Sequence, residues 1–134
     1  MKGVEIVEKI IKIGEKEFKI KSSAYTMFAY QDEFKSDMLD DVTNLQKTAM
    51  ECKSVDKNSD EYTEKLISLI KPVMKSSLQI LYIMAKEADD NIVNYKEFLK
   101  NIDNLFSDFS WFNDTLTCAL APFTRRVQKT EWYL

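Results

Sequence analysis

Histidine is absent from this 134-residue chain, and glycine, proline and cysteine occur twice each. Lacking histidine, the protein has neither the side chain best suited to proton transfer near neutral pH nor the commonest transition-metal ligand. No enzymatic activity, catalytic residue, metal site or cofactor is therefore expected. With glycine only at Gly3 and Gly14, no glycine-rich loop can cradle a phosphate. Cys52 and Cys118 are far apart, match no metal-ligand spacing and sit in the apolar or helical strings TAMEC and LTCAL, so reduced thiols in a cytoplasm are expected. No uninterrupted apolar run approaches the ~20 residues that cross a bilayer. The opening string MKGVEIVEKIIKIG carries Glu5, Glu8, Lys9 and Lys12 where a secretion signal would be apolar. The expectation is a protein that contacts no membrane and stays inside the cell that makes it. Charge of one sign is scarce as well: 19 basic and 22 acidic residues give a formal charge of -3, and the basic residues cluster only at Arg125, Arg126 and Lys129. A nucleic-acid partner needs a concentrated basic face and is not expected.

What is present is a composition that folds. Hydrophobic residues make up 45% of the chain, aromatics 12% and charged residues 31%, which excludes a disordered polymer and is enough for one domain, residues 1–134, with a core that needs no disulfide or metal. In EFKIK, Phe18 and Ile20 face one way and Glu17, Lys19 and Lys21 the other, the alternation of a half-buried strand; Ile11 and Ile13 supply its partner. Gly14-Glu15-Lys16 reads as a three-residue or bulged turn. Ser22 and Ser23 are the candidate caps of a helix starting near Ala24.

Downstream, the pattern predicts helices throughout. Leu39, Val42, Leu45 and Ala49 recur at helical spacing over Met38–Cys52, with Asp37 as a cap and Asp40 and Asp41 in the first turn. Lys53–Asp60 is polar and reads as an exposed loop. Ser59 then caps a helix that Pro72 kinks or restarts. Met74, Leu78, Leu81, Ala85 and Ala88 mark a central helix. Asn94 and Glu97 have capping-box spacing for a helix with Phe98, Ile102, Leu105 and Phe106 inward, and a last helix from Trp111 to Leu120 ends at Pro122. No repeat, low-complexity tract or linker interrupts this order. The fold class read from it is α+β, mostly helical: an N-terminal hairpin at about 4–21, packed on a bundle of four to six helices at about 23–123, then a C-terminal tail at 124–134.

Two kinds of side chain invite a functional reading. Adjacent acids such as Asp40/Asp41 and Asp89/Asp90 read as solvated surface. Lys86–Glu97 resembles the second half of an EF-hand loop, with Asp90 and Glu97 at ligand positions, but Lys86 and Ala88 stand where two oxygen ligands belong. Aromatics gather in the last 26 residues of the sequence. Phe112 and Phe123 are expected to close the core, whereas Phe109, Trp111, Phe123, Trp132 and Tyr133 are the candidate partner-binding residues, offering rigid apolar area with polar handles. Met27, Met38, Met50, Met74 and Met84 add adaptable apolar surface.

In chain order, the glycine-turned hairpin, SAYTMFAYQDEF from Ser23, SDMLDDV from Ser36, SLQILYIMAKEADD from Ser77, NYKEFLKNID from Asn94 and LAPFTRR from Leu120 resemble the tail assembly chaperones of long-tailed bacteriophages and prophages, of the siphophage type with a Gram-positive host. That family often has glycine where this chain has Glu15 and Lys35; other residues fit there at modest strain. The resemblance implies a non-enzymatic protein of phage morphogenesis that coats the long helical tape measure protein and presents it for tail tube polymerisation. It implies many copies per tape measure, self-associating into dimers or open helical arrays, with the hairpin's free edge as one means. It also implies a frameshifted longer form whose extra domain contacts the major tail protein, with VQKTEWYL ending the short form. Such a protein works in the host bacterial cytoplasm and is absent from the mature virion. Two alternatives remain open: a head-tail connector or minor tail structural protein that persists in the particle, and an EF-hand-like regulatory calcium-binding helical protein.

Overall fold

The structure, a computed structural model, describes residues 7–124. Two antiparallel strands, β1 (Val7–Ile13) and β2 (Lys16–Ser22), lead into six α-helices: α1 (Ala24–Phe34), α2 (Met38–Lys53), α3 (Tyr62–Ile70), α4 (Met74–Ala88), α5 (Tyr95–Lys100) and α6 (Ser110–Thr124). The fold is α+β and mostly helical, with the hairpin laid on the bundle: β2 packs on α4, and β1 on α6. Alternation decides which hairpin face is buried. Ile11, Ile13 and Ile20 join one cluster with Leu81, Met84 and Trp111, while Ile10 and Lys19, paired across the strands, face outward.

The turn is shorter than expected. Ile13 pairs with Lys16, leaving a two-residue connection in which Gly14 has φ +59° and Glu15 stays out of the left-handed region, as in a II′ turn whose twist matches that of the strands. A side chain at Gly14 would also meet Asp103 and Asn104, so both dihedral and space require glycine there.

Side-chain caps open α1, α2 and α5. Ser23 opens α1 with a capping box: its amide donates to Thr26 Oγ1 (2.8 Å), and its hydroxyl accepts from the Tyr25 amide (3.2 Å). Lys35 ends the helix at φ 57°, a left-handed cap carried by a non-glycine residue. Asp37 caps α2 as expected, accepting from the amides of Leu39 and Asp40. Its buried seam, however, runs through Met38, Val42, Leu45 and Ala49, and Leu39 is exposed.

Three further expectations, for Ser59, α5 and Pro122, are corrected, while the restart of the helix at Pro72 is found. Ser59 does not cap α3 but closes a turn onto the Glu61 amide (3.1 Å), and the helix begins at Tyr62. Lys71–Val73 is a 3-10 turn linking α3 to α4, which places Pro72 where its missing N–H costs little. The α5 helix stops at Lys100, where the Asn101 side chain donates to the Glu97 carbonyl (2.9 Å) in place of continued backbone bonding, so Ile102, Leu105 and Phe106 lie beyond it. Pro122 sits inside α6 rather than ending it. The carbonyl one turn back, Cys118, would ordinarily accept from residue 122, and here accepts the buried Ser22 hydroxyl at 2.6 Å. The hairpin thus supplies the donor that proline lacks.

An aromatic chain spans the elements. Phe18 meets Phe98 (5.3 Å between centroids), Phe98 meets Tyr82 (5.2 Å), Tyr82 meets Tyr95 (5.3 Å), Tyr95 meets Phe34 (5.0 Å) and Phe34 meets Tyr30 (5.4 Å). The Tyr30 hydroxyl donates to Asp41 Oδ2 (2.6 Å), which also accepts from Ser36 (2.8 Å). Burial first, and then the Asp41 bond, raises the Tyr30 phenol above the ordinary value of 10.0; burial also raises Tyr82 and Tyr95. The folded state therefore keeps phenolic protons that the unfolded state releases. The stability tied to them is complete below pH 10 and falls as pH rises beyond it, by up to about 1.4 kcal/mol per pH unit per tyrosine. Urea midpoints should drop between pH 9 and pH 11, and Tyr30→Phe should flatten that drop; equal midpoints would count against the buried phenols.

Candidate partner-binding surfaces

The most exposed large aromatics among the described residues are on α1. Tyr25 is 63% and Phe28 57% exposed, and their three-residue spacing puts them on one side of the helix. The opposite sector, through Thr26 and Tyr30, is buried. Beside Tyr25 runs a cleft of about 380 Å³ between α1 and α4, lined by Ala29, Glu33, Ile83, Lys86 and Glu87. Two acids organise it. Glu87 accepts the Ser23 hydroxyl at 2.6 Å and the Thr26 hydroxyl at 2.5 Å, joining the α1 cap to α4. Glu33 pairs with Lys86 at 3.7 Å, and the Lys86 ammonium lies 5.8 Å from the Tyr82 ring. The sequence concealed this surface because apolar residues surround α1 and no periodicity says which sector is buried.

A second depression, of about 290 Å³, lies between α2, α3 and α6. Leu66, Ile70 and Phe112 form its floor, Cys52 and Phe109 line its wall, and Lys53 and Lys57 stand in its lining from the exposed end of α2 and the following loop.

The aromatic residues singled out in the sequence are not brought together. Trp111 is 1% exposed, a core residue rather than a surface one, because α6 turns its indole inward to donate to the Leu105 carbonyl at 2.9 Å. Phe109 is half-buried, in ring contact with Phe106 (5.9 Å), and walls the second depression. Phe123 is 40% exposed and stays out of the core it was expected to close, whereas Phe112 is buried as expected. Phe109 and Phe123 stand at opposite ends of α6, about 20 Å apart along its axis. Trp132 and Tyr133, with Arg125, Arg126 and Lys129, lie outside the described residues. Of the methionines, Met38 and Met84 are core and Met50 is 65% exposed.

Burial raises both thiols, in Cys118 against an opposing effect of its hydrogen bond to the Ser22 hydroxyl, the reverse of what activates a nucleophile. Lys86–Ala88 forms the last turn of α4, Asp89 Oδ1 accepts the Asn91 amide (2.9 Å) and Glu97 lies in α5 beside Lys100 (3.6 Å), so Lys86–Glu97 is not one ion-wrapping loop. Among the described residues no three His, Cys, Asp or Glu side chains are grouped to hold a metal ion. Through the 3-10 turn, Tyr62–Ala88 forms a helical run long and apolar enough, by length and composition, to cross a membrane. The run is interrupted by Lys71 and Lys75, and its residues Ile70, Ile80, Leu81 and Met84 are buried in the protein's own core.

The arrangement is a mostly helical α+β fold with two surface depressions, one between α1 and α4 and one between α2, α3 and α6. No family model, curated protein or solved structure matches the chain.

Proposed function

We propose that this protein is a tail assembly chaperone of a long-tailed phage or prophage, which covers helical segments of the tape measure protein in the host cytoplasm and is left out of the finished virion. The reading rests on the ordered strings that resemble that family. The observation that carries it to a surface is the exposed Tyr25–Phe28 face, which lies within SAYTMFAYQDEF itself. Reversible coverage of a helix requires apolar anchors at helical spacing, and each aromatic contributes roughly 150–250 Å² of contact. Many weak contacts of this kind along a long client would add by multivalency. A longer frameshifted product contacting the major tail protein, and self-association of the chaperone along its client, belong to the same proposal.

Co-expression with fragments of a long helical tape measure protein tests it. Co-elution and solubilisation are expected, and Tyr25→Ala with Phe28→Ala should weaken capture about tenfold or more while leaving the melting temperature nearly unchanged, because both side chains are exposed. Failure to co-elute with any fragment would overturn the assignment. Recovery of the protein from purified particles would favour a connector or minor tail component instead.

A further inference from the structure

We propose that the depression between α2, α3 and α6 is a second docking site, specific for an acidic segment of a protein partner that inserts one large apolar side chain between its carboxylates. The size suits such an anchor. At about 290 Å³ it lies at the lower end of ligand clefts, room for a side chain rather than a cofactor. Its floor of Leu66, Ile70 and Phe112 offers no polar atom, so the anchor must be apolar.

Charge selects the flanks. Lys53 and Lys57 are the only charged side chains in the lining, which contains no carboxylate; its other polar side chains with N–H or O–H groups are Tyr62 and Asn113. Among the described residues neither lysine forms an ion pair, so both ammonium groups are open to a partner's carboxylates. Lys53 alone is accounted for by the carbonyl end of α2, which favours a cation. Lys57, in the loop beyond, has no such role. Two unpaired cations at an apolar depression complement carboxylates that flank an apolar anchor, and they disfavour a basic segment. This site is separate from the α1 face and does not depend on the client proposed for it.

Cys52 reports occupancy, because it lines the wall while Cys118 is buried elsewhere. The full chain is alkylated with iodoacetamide, a neutral reagent, at alkaline pH, and the two cysteines are followed separately by peptide mass spectrometry. The probe is a short helical peptide with leucine on one face and glutamates flanking it; the control carries lysines in place of the glutamates. The glutamate peptide should slow Cys52 modification about tenfold while the lysine peptide leaves it within about twofold, and Lys53→Glu with Lys57→Glu should reverse that order. Both lysines are exposed, so the variant keeps its fold. Equal protection by the two peptides, no protection by either, or parallel protection of Cys118 would overturn the proposal.

Discussion

Trp111→Ala is expected to lower folding stability by about 3–5 kcal/mol, the cost of emptying a large aromatic site in a core that relaxes only partly. The indole is 1% exposed, donates to the Leu105 carbonyl at 2.9 Å and meets the Phe112 ring edge-on at 6.0 Å. Truncation therefore loses apolar contact and leaves a partly buried carbonyl without its donor. A domain of this size is stable by only 5–15 kcal/mol or so, which makes the loss a large share of the total. Urea denaturation followed by circular dichroism measures it, and Trp111→Phe should lose less, since the ring contact survives. The comparison that matters is with Tyr25 and Phe28. If Trp111→Ala left stability within about 1 kcal/mol yet abolished partner capture, the indole would be an interface residue and this account of the core would be wrong.

Glu87→Ala should cost about 2–3 kcal/mol, more than any exposed acid. Its carboxylate accepts two hydroxyl protons at 2.6 and 2.5 Å, from Ser23 and Thr26, and those hydroxyls in turn accept the Tyr25 and Ser23 amides. Each hydroxyl has one proton to give. By accepting both, Glu87 leaves their lone pairs turned to the amides at the start of α1, so removing it loosens the capping box as well as the contact with α4. Glu87→Gln should recover about half of the loss, since an amide keeps one acceptor oxygen. A double-mutant cycle with Ser23→Ala decides the point: a coupling of about 1 kcal/mol or more is expected, and additivity would mean that α1 is capped without help from α4. Because α1 carries the Tyr25–Phe28 face, a frayed start should also weaken the client capture proposed for that face.

The hairpin could be read from the sequence because alternation in a two-stranded sheet acts residue by residue: Ile11, Ile13 and Ile20 had one possible side to bury. Caps were legible for the same reason. Ser23, Asp37 and Asn94 act on amides two or three positions away, within reach of local chemistry. Where reading failed, a side chain had taken a backbone carbonyl, once from far away and once from within the same turn. Pro122 lies inside α6 beside a Ser22 hydroxyl 96 positions from Cys118 in the chain, and α5 ended early because one asparagine side chain competed for a carbonyl.

The candidate site was the least legible part. Counting aromatics toward the C-terminus drew attention to Trp111, but aromatic density along a chain carries no information about which sector of a helix meets a neighbour. The sequence by itself determined the hairpin, most helix starts, the fold class and the absence of histidine chemistry, all consequences of local backbone preference and composition. Only the tertiary structure decided that Trp111 is core and Tyr25 and Phe28 are surface, that Lys53 and Lys57 stand beside an apolar floor, and that Glu87 completes a cap 64 residues away. Burial is a property of packed pairs of elements, and no single segment specifies the partner against which it packs.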